Sequence, residues 1–178
     1  MKAFYILFLF LLFSCKSGKD VSTFSYAELS PELTELVKLL VETDYIGTQS
    51  IGRSNEPSVA YANREALLSI ASEDELILLI NHPEGEVAAT AFEGLVRKNY
   101  SDLDLKEELL NLSKGDRLLS YLKGDVVFVM PALEYSYVII LGNELDGNFS
   151  ENTIVNIGLS EAEKAFVENR IMAIRQTM

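Results

Sequence analysis

Apolar residues recur at helical spacing through residues 30–112 and then crowd together from residue 126 onward. Ser30-Pro31 opens the first helix, with serine as cap and proline in the first turn. Leu33, Leu36, Val37, Leu40 and Val41 fall on one face of it. Gly47, Gly52 and Asn55-Glu56-Pro57 predict a loop. A second helix over 60–71 turns Ala66, Leu67, Ile70 and Ala71 inward. Ser72-Glu73-Asp74-Glu75 is a capping box, and the helix it starts carries Leu76, Ile77, Leu79 and Ile80 to a stop at Asn81-His82-Pro83-Glu84-Gly85. The next helix buries Val87, Ala88, Ala91, Phe92, Leu95 and Val96. Glu84 and Glu86 stand near its start and Arg97 and Lys98 at its end, as the helix dipole favours, and Asn99 is its expected cap. A further helix spans 105–112.

Beyond Asp125 the period changes. Val126-Val127-Phe128-Val129-Met130 and Tyr135-Ser136-Tyr137-Val138-Ile139-Ile140-Leu141 are rich in β-branched and aromatic residues, so two antiparallel strands are expected around Pro131. Pro131 and Glu134 interrupt the apolar stretch, which argues against a membrane span. Asp146-Gly147-Asn148 marks a turn, and Thr153 to Ile157 a short third strand. A second capping box, Ser160-Glu161-Ala162-Glu163, opens a last helix burying Ala165, Phe166, Ile171 and Ile174. The expected fold class is mainly α, within α+β.

The N-terminus has a different pattern. Met1-Lys2 precedes an unbroken apolar run that ends at Phe13-Ser14-Cys15, the layout of a secretory signal peptide. At about 1.5 Å per residue the run spans roughly 16 Å, short of the ~30 Å hydrocarbon core. Leu12-Phe13-Ser14-Cys15 resembles the lipobox of bacterial lipoproteins. That resemblance implies removal of residues 1–14, lipid attachment at Cys15 and a membrane-tethered product in the cell envelope, on a periplasmic or surface face. Residues 16–25 are small and polar and form the core of a flexible tether, assigned to 15–27, before one globular domain at 28–178.

Composition narrows the function. The net charge is −12, from 15 basic and 27 acidic residues. Such a charge disfavours nucleic acid, which is bound by neutralising phosphates with Lys and Arg, and equally disfavours adhesion to anionic lipid heads. Cys15 is the only cysteine and His82 the only histidine. A structural zinc site built from four Cys or His ligands is excluded by counting, and histidine-assisted catalysis would have to run through His82. Ser17-Gly18-Lys19 lacks the upstream glycine and the helix of a phosphate-binding loop. No cofactor or metal site is expected. Asp102/Asp104 and Glu84/Glu86 are the close carboxylate pairs considered for acid–base work or cation binding, and neither they nor Asp146-Gly147-Asn148 has the twelve-residue calcium-loop spacing.

Residues 62–98 resemble a HEAT-type repeat: a helix, the Ser72–Ile80 helix, the His82-Pro83 turn, then Glu86-Val87-Ala88-Ala89-Thr90-Ala91-Phe92-Glu93-Gly94-Leu95. The order of elements is similar to that of small Gram-negative envelope lipoproteins holding one such unit, a strand-rich part and a closing helix. The chain departs from the repeat at Ala88, where an arginine is usual. One repeat cannot bury both faces, so the flanking elements must cover it within a single domain. The resemblance implies a protein-binding or scaffolding module rather than an enzyme, with helical faces, among them the Glu84–Lys98 helix, holding an envelope partner. The alternative is an envelope hydrolase or carbohydrate-active protein working through paired carboxylates. His82 is expected as a surface or capping residue of its turn. Tyr135 and Tyr137, on one face of the second expected strand, are expected at the edge of the core, with a recognition face as the alternative.

Overall fold

A computed structural model describes residues 24–54, 56–98, 105–142 and 156–178. Cys15, the signal segment, Asn99, Asp102, Asp104 and the Asp146-Gly147-Asn148 turn lie outside the described residues. A 3-10 turn, Tyr26–Glu28, leads into helix α1 (Pro31–Thr43), strand β1 (Ile46–Ile51) and the short strand β2 (Glu56–Pro57). Helices α2 (Val59–Ile70), α3 (Glu73–Ile80), α4 (Gly85–Arg97) and α5 (Leu105–Leu112) follow. A hairpin of β3 (Leu118–Gly124) and β4 (Val126–Pro131) precedes α6 (Ala132–Ile140) and α7 (Glu161–Arg175). The protein is mainly α within α+β, with seven α-helices and one four-stranded mixed sheet among the described residues.

The helix starts follow their caps. The Ser30, Ser58, Ser72 and Ser160 hydroxyls each accept an amide of the first turn, and Ser72/Glu75 and Ser160/Glu163 form complete capping boxes. The Glu75 carboxylate accepts both the Ser72 amide and, at 2.8 Å, the Ser30 amide, so one side chain joins the starts of α1 and α3. Although its partial burial opposes ionisation, these hydrogen bonds lower its pKa to about 2. At the other end of α1, Asp44 takes the left-handed conformation (φ 58°), donates its amide to the Leu40 carbonyl and turns the chain into β1.

Helix α4 lies at the centre. Every residue from Gly85 to Val96 is buried, and α4 packs against α1, α2, α3, α5, α6 and β3. Glycine permits two of these approaches. A Cβ on Gly85 would sit 2.1 Å from the Leu118 carbonyl oxygen of β3, and one on Gly94 would meet Leu68 and Leu76 methyls at 2.9 Å. The helical face expected to hold a partner is therefore core: α4 is enclosed, because both its apolar and its polar sides meet other elements.

The sheet order is β2-β1-β3-β4, with β1 parallel to β3 and the other pairs antiparallel. Three expectations are corrected here. The segment from Gly47 to Glu56-Pro57 was expected as a loop; it contains β1 and β2, since pairing with β3 overrides the low strand propensity of glycine. The partner of β4 is β3, upstream, joined through Gly124 (φ 61°) and Asp125. Residues from Tyr135 onward form α6 and no strand. Pro131 closes β4 and occupies the N-cap of α6, whose residues are buried on nearly every side. A run that is apolar all round carries neither period, so its spacing does not separate helix from strand. Asn156 and Ile157 lie outside any strand, and Thr153–Val155 fall outside the described residues.

Two helical faces are also rotated from expectation. In α2 the buried set is Ala60, Arg64, Leu67 and Leu68; Ile70 is exposed and Ala66 half-buried. In α7 it is Val167, Ile171 and Ile174, with Ala165 and Phe166 exposed. Among the described residues no helix is long and apolar enough to cross a membrane.

Candidate functional site: an open sheet edge

β4 reads Val-Val-Phe-Val-Met-Pro and carries no charge. Val126, Val127, Phe128 and Val129 are 52%, 58%, 46% and 53% exposed, so four consecutive large apolar side chains meet solvent. The register explains how. Residues opposite one another in an antiparallel pair share a face. Phe128 stands opposite buried Tyr121, and Met130, partly buried, opposite buried Leu119. Val127 and Val129 stand opposite Leu122 and Ser120 on the other face. Phe128 thus continues the core side of the sheet past the point where the helices cover it, while the two valines rise from the far side.

The backbone polarity of this edge follows from one hydrogen bond. The Ala132 amide donates to the Arg117 carbonyl at 2.8 Å, one step beyond the Leu118–Pro131 pair. Hydrogen-bonded and non-bonded pairs alternate in an antiparallel ladder. The amides of Val126, Phe128 and Met130 therefore face β3, and those of Val127 and Val129 face outward with their carbonyls. Ser120, opposite Val129, obeys the same alternation: its amide turns away from β4 and donates to Glu86 at 2.9 Å. Among the described residues β4 has β3 as its only strand neighbour. The sheet's opposite edge, β2, is two residues long and ends in Pro57. Natural edges are usually kept short or made charged or proline-bearing to discourage pairing. β2 is protected in this way and β4 is not.

The groups singled out in the sequence lie elsewhere. His82 is buried, not on the surface, and acts as a capping group. Its Nδ1 accepts the Glu84 amide at 3.2 Å, Nε2 lies 3.0 Å from the Tyr26 hydroxyl, and the Phe24 ring packs at 4.7 Å. Burial, then the nearby Arg117 guanidinium, lowers its pKa to about 4. Arg117 itself donates to the Ile80 and His82 carbonyls at 2.6 and 3.0 Å. The imidazole is a neutral strut between the 3-10 turn and the start of α4. Glu84 and Glu86 diverge: Glu84 is exposed, whereas Glu86 is buried against the Ser120 amide with its pKa raised by that burial.

Tyr135 and Tyr137 are both buried, but from a helix. Tyr137 donates to Glu168 at 3.2 Å, and burial with that contact raises its pKa. Tyr135 belongs to a polar cluster unforeseen in the sequence. Its hydroxyl accepts from Arg64 and donates to Glu93, both at 3.0 Å. Arg97 pairs with Glu93 and donates to Glu65 at 2.9 Å, while Arg64 lies 3.7 Å from both Glu65 and Glu93 and 5.2 Å over the Tyr61 ring. Two guanidiniums and two carboxylates balance in charge, as interior ions must. The cluster joins α2, α4 and α6 and is structural. Its sequence signal was the Glu93/Arg97 pair one helical turn apart on a face that also reads as solvated. Among the described residues no three His, Cys, Asp or Glu side chains converge as metal ligands.

No family model, curated protein or solved structure matches the chain.

Proposed function

We propose that this protein is a lipid-anchored module of the bacterial envelope that holds another protein through the open edge of its sheet. The single observation that carries the reading is the charge-free, four-residue exposed apolar run of β4 at an unprotected edge. Contiguous exposed apolar surface is uncommon on a protein without a partner and characteristic of interaction sites. The signal-like N-terminus and the lipobox resemblance at Cys15 supply the anchor and the compartment. Two acyl chains suffice for stable attachment, so neither the acidic domain nor an apolar helix needs to grip the bilayer. The helical hairpins, HEAT-like in their sequence, form the body that presents the sheet. The non-enzymatic reading draws support from His82 and Glu86, the residues with shifted pKa nearest to catalytic use, because both serve as fixed hydrogen-bond acceptors inside the packing.

The test is crosslinking and affinity capture from intact cells, comparing wild type, Val127→Lys/Val129→Lys and Cys15→Ala. Both valines are solvent-facing, so the double lysine variant should keep its circular dichroism spectrum and melt within a few degrees of wild type. The reading expects one reproducible envelope partner with wild type, capture reduced at least tenfold by the double lysine variant, and reduced capture without the anchor. Equal capture by wild type and the lysine variant would remove β4 as the docking site.

A further inference from the structure

Resting on the reading of β4 as the docking edge, we infer that the occupant is an extended apolar segment of a partner protein, added to the sheet as a fifth strand beyond β4, with basic residues flanking that segment. The outward amides and carbonyls of Val127 and Val129 are the main-chain groups that such a strand would satisfy, and they recur at the two-residue spacing of an incoming strand. Side chains on both faces of β4 are exposed, so an added strand would find apolar neighbours above and below it. The site has natural ends: the Gly124-Asp125 turn closes one, and Pro131, which lacks an amide and caps α6, closes the other. The six residues of β4 span about 20 Å.

Charge selects among occupants. Next to the hairpin the charges are paired, Asp125 with Arg53 at 3.5 Å and Glu134 with Arg175, so the edge itself is neutral. The chain as a whole carries −12. A second copy pairing β4 to β4 brings two such charges together over one short strand. That contact falls well below the roughly 800 Å² per partner of a standard interface. A segment with lysine or arginine at its ends is instead drawn in by the field of the whole chain, an effect on association rate that salt screens.

The experiment is hydrogen exchange on full-length protein in nanodiscs of neutral lipid, resolved to single amides, with synthetic probes. One probe is a nine-residue peptide of alternating valine and threonine with lysine ends; a second has glutamate ends; a third is the lysine peptide N-methylated at every other residue. The expected result is at least tenfold slower exchange at Val127 and Val129 with the lysine-ended peptide. Phe128, already paired to β3, should not change. The glutamate-ended peptide should bind at least tenfold more weakly, the N-methylated one should give no protection, and raising salt from 50 to 500 mM should slow association several-fold. Val129→Pro, which removes one outward amide at an edge where proline is tolerated, should abolish protection, and Val129→Thr should retain it.

Absence of protection with every probe at millimolar concentration overturns strand addition, as does equal binding of the N-methylated peptide. In both cases docking through β4 side chains survives if capture is still lost in the lysine variant. Concentration-dependent dimers that protect Val127 and Val129 without peptide would make a second copy the occupant and overturn the assignment. Slow exchange at both amides in the free protein at high dilution would mean that the edge is already covered, and would sink the docking reading as well.

Discussion

Glu93 shows what a polar residue can do inside an otherwise apolar core. Its carboxylate receives Tyr135 and Arg97 and faces Arg64, so it is the hub on which α2, α4 and α6 converge. Truncation leaves two guanidiniums without their counter-charge. Glu93→Leu should therefore cost about 3–5 kcal/mol in urea unfolding, the range for removing one partner of a buried ion pair; a loss under 1 kcal/mol would show that water reaches the cluster. His82 acts through its neutral form. The unfolded chain takes up its proton below about pH 6.5, whereas the folded imidazole, with Nδ1 committed to the Glu84 amide, does so only near 4. Unfolded molecules bind the extra proton between those values, so this stabilisation is present above pH 6.5 and is lost as pH falls toward 4. Glu86, its pKa raised, acts in the opposite direction over part of the same window. Subtracting the profile of His82→Gln from that of wild type cancels the Glu86 contribution. The difference should amount to at most about 3 kcal/mol between pH 6.5 and 4, and a flat difference would mean that His82 titrates normally.

Among the elements, α4 sets the geometry of the molecule. Its N-terminus reaches the β3 backbone only because residue 85 is glycine, and its C-terminal half nests against Leu68 and Leu76 only because residue 94 is. The two contacts differ in what can yield. At Gly85 the obstacle is a carbonyl oxygen within the sheet, and at Gly94 it is the methyl ends of leucines. Gly85→Ala should therefore destabilise by about 2–3 kcal/mol, in the range of core overpacking. Gly94→Ala should cost about 1 kcal/mol, since rotamer shifts relieve the clash and alanine favours the helix. Urea midpoints of the two variants check the order, and a Gly85 variant no worse than the Gly94 one would contradict the packing described. At this scale much was legible. The serine caps, both capping boxes and the bounds of α1, α3, α4 and α5 follow from local chemistry, in which a cap and the amide it satisfies sit three residues apart. β3, β1 and the helical state of α6 were not legible, because ladder partners distant in sequence decided the strands and burial on all sides erased the period of α6.

For the whole molecule, the sequence by itself determined the helix starts, the acidic charge, the scarcity of ligating side chains, a mainly α domain with a β-rich hairpin and the signal-like N-terminus with Cys15. These are local or additive properties: a cap needs its own turn, a net charge only a count. Tertiary structure decided which apolar residues became core and which became surface. Periodicity marked the 126–130 run as apolar, and only the placement of β3 inside the sheet and β4 at its margin turned that run into an exposed edge. It likewise buried the polar side of α4, which sequence alone would give to solvent, by setting Arg64 and Tyr135 against Glu93 from two other helices. Burial is a property of what lies opposite. Pairings such as Arg64 with Tyr135, 71 residues apart, form only when the chain closes on itself, so no window of sequence holds them.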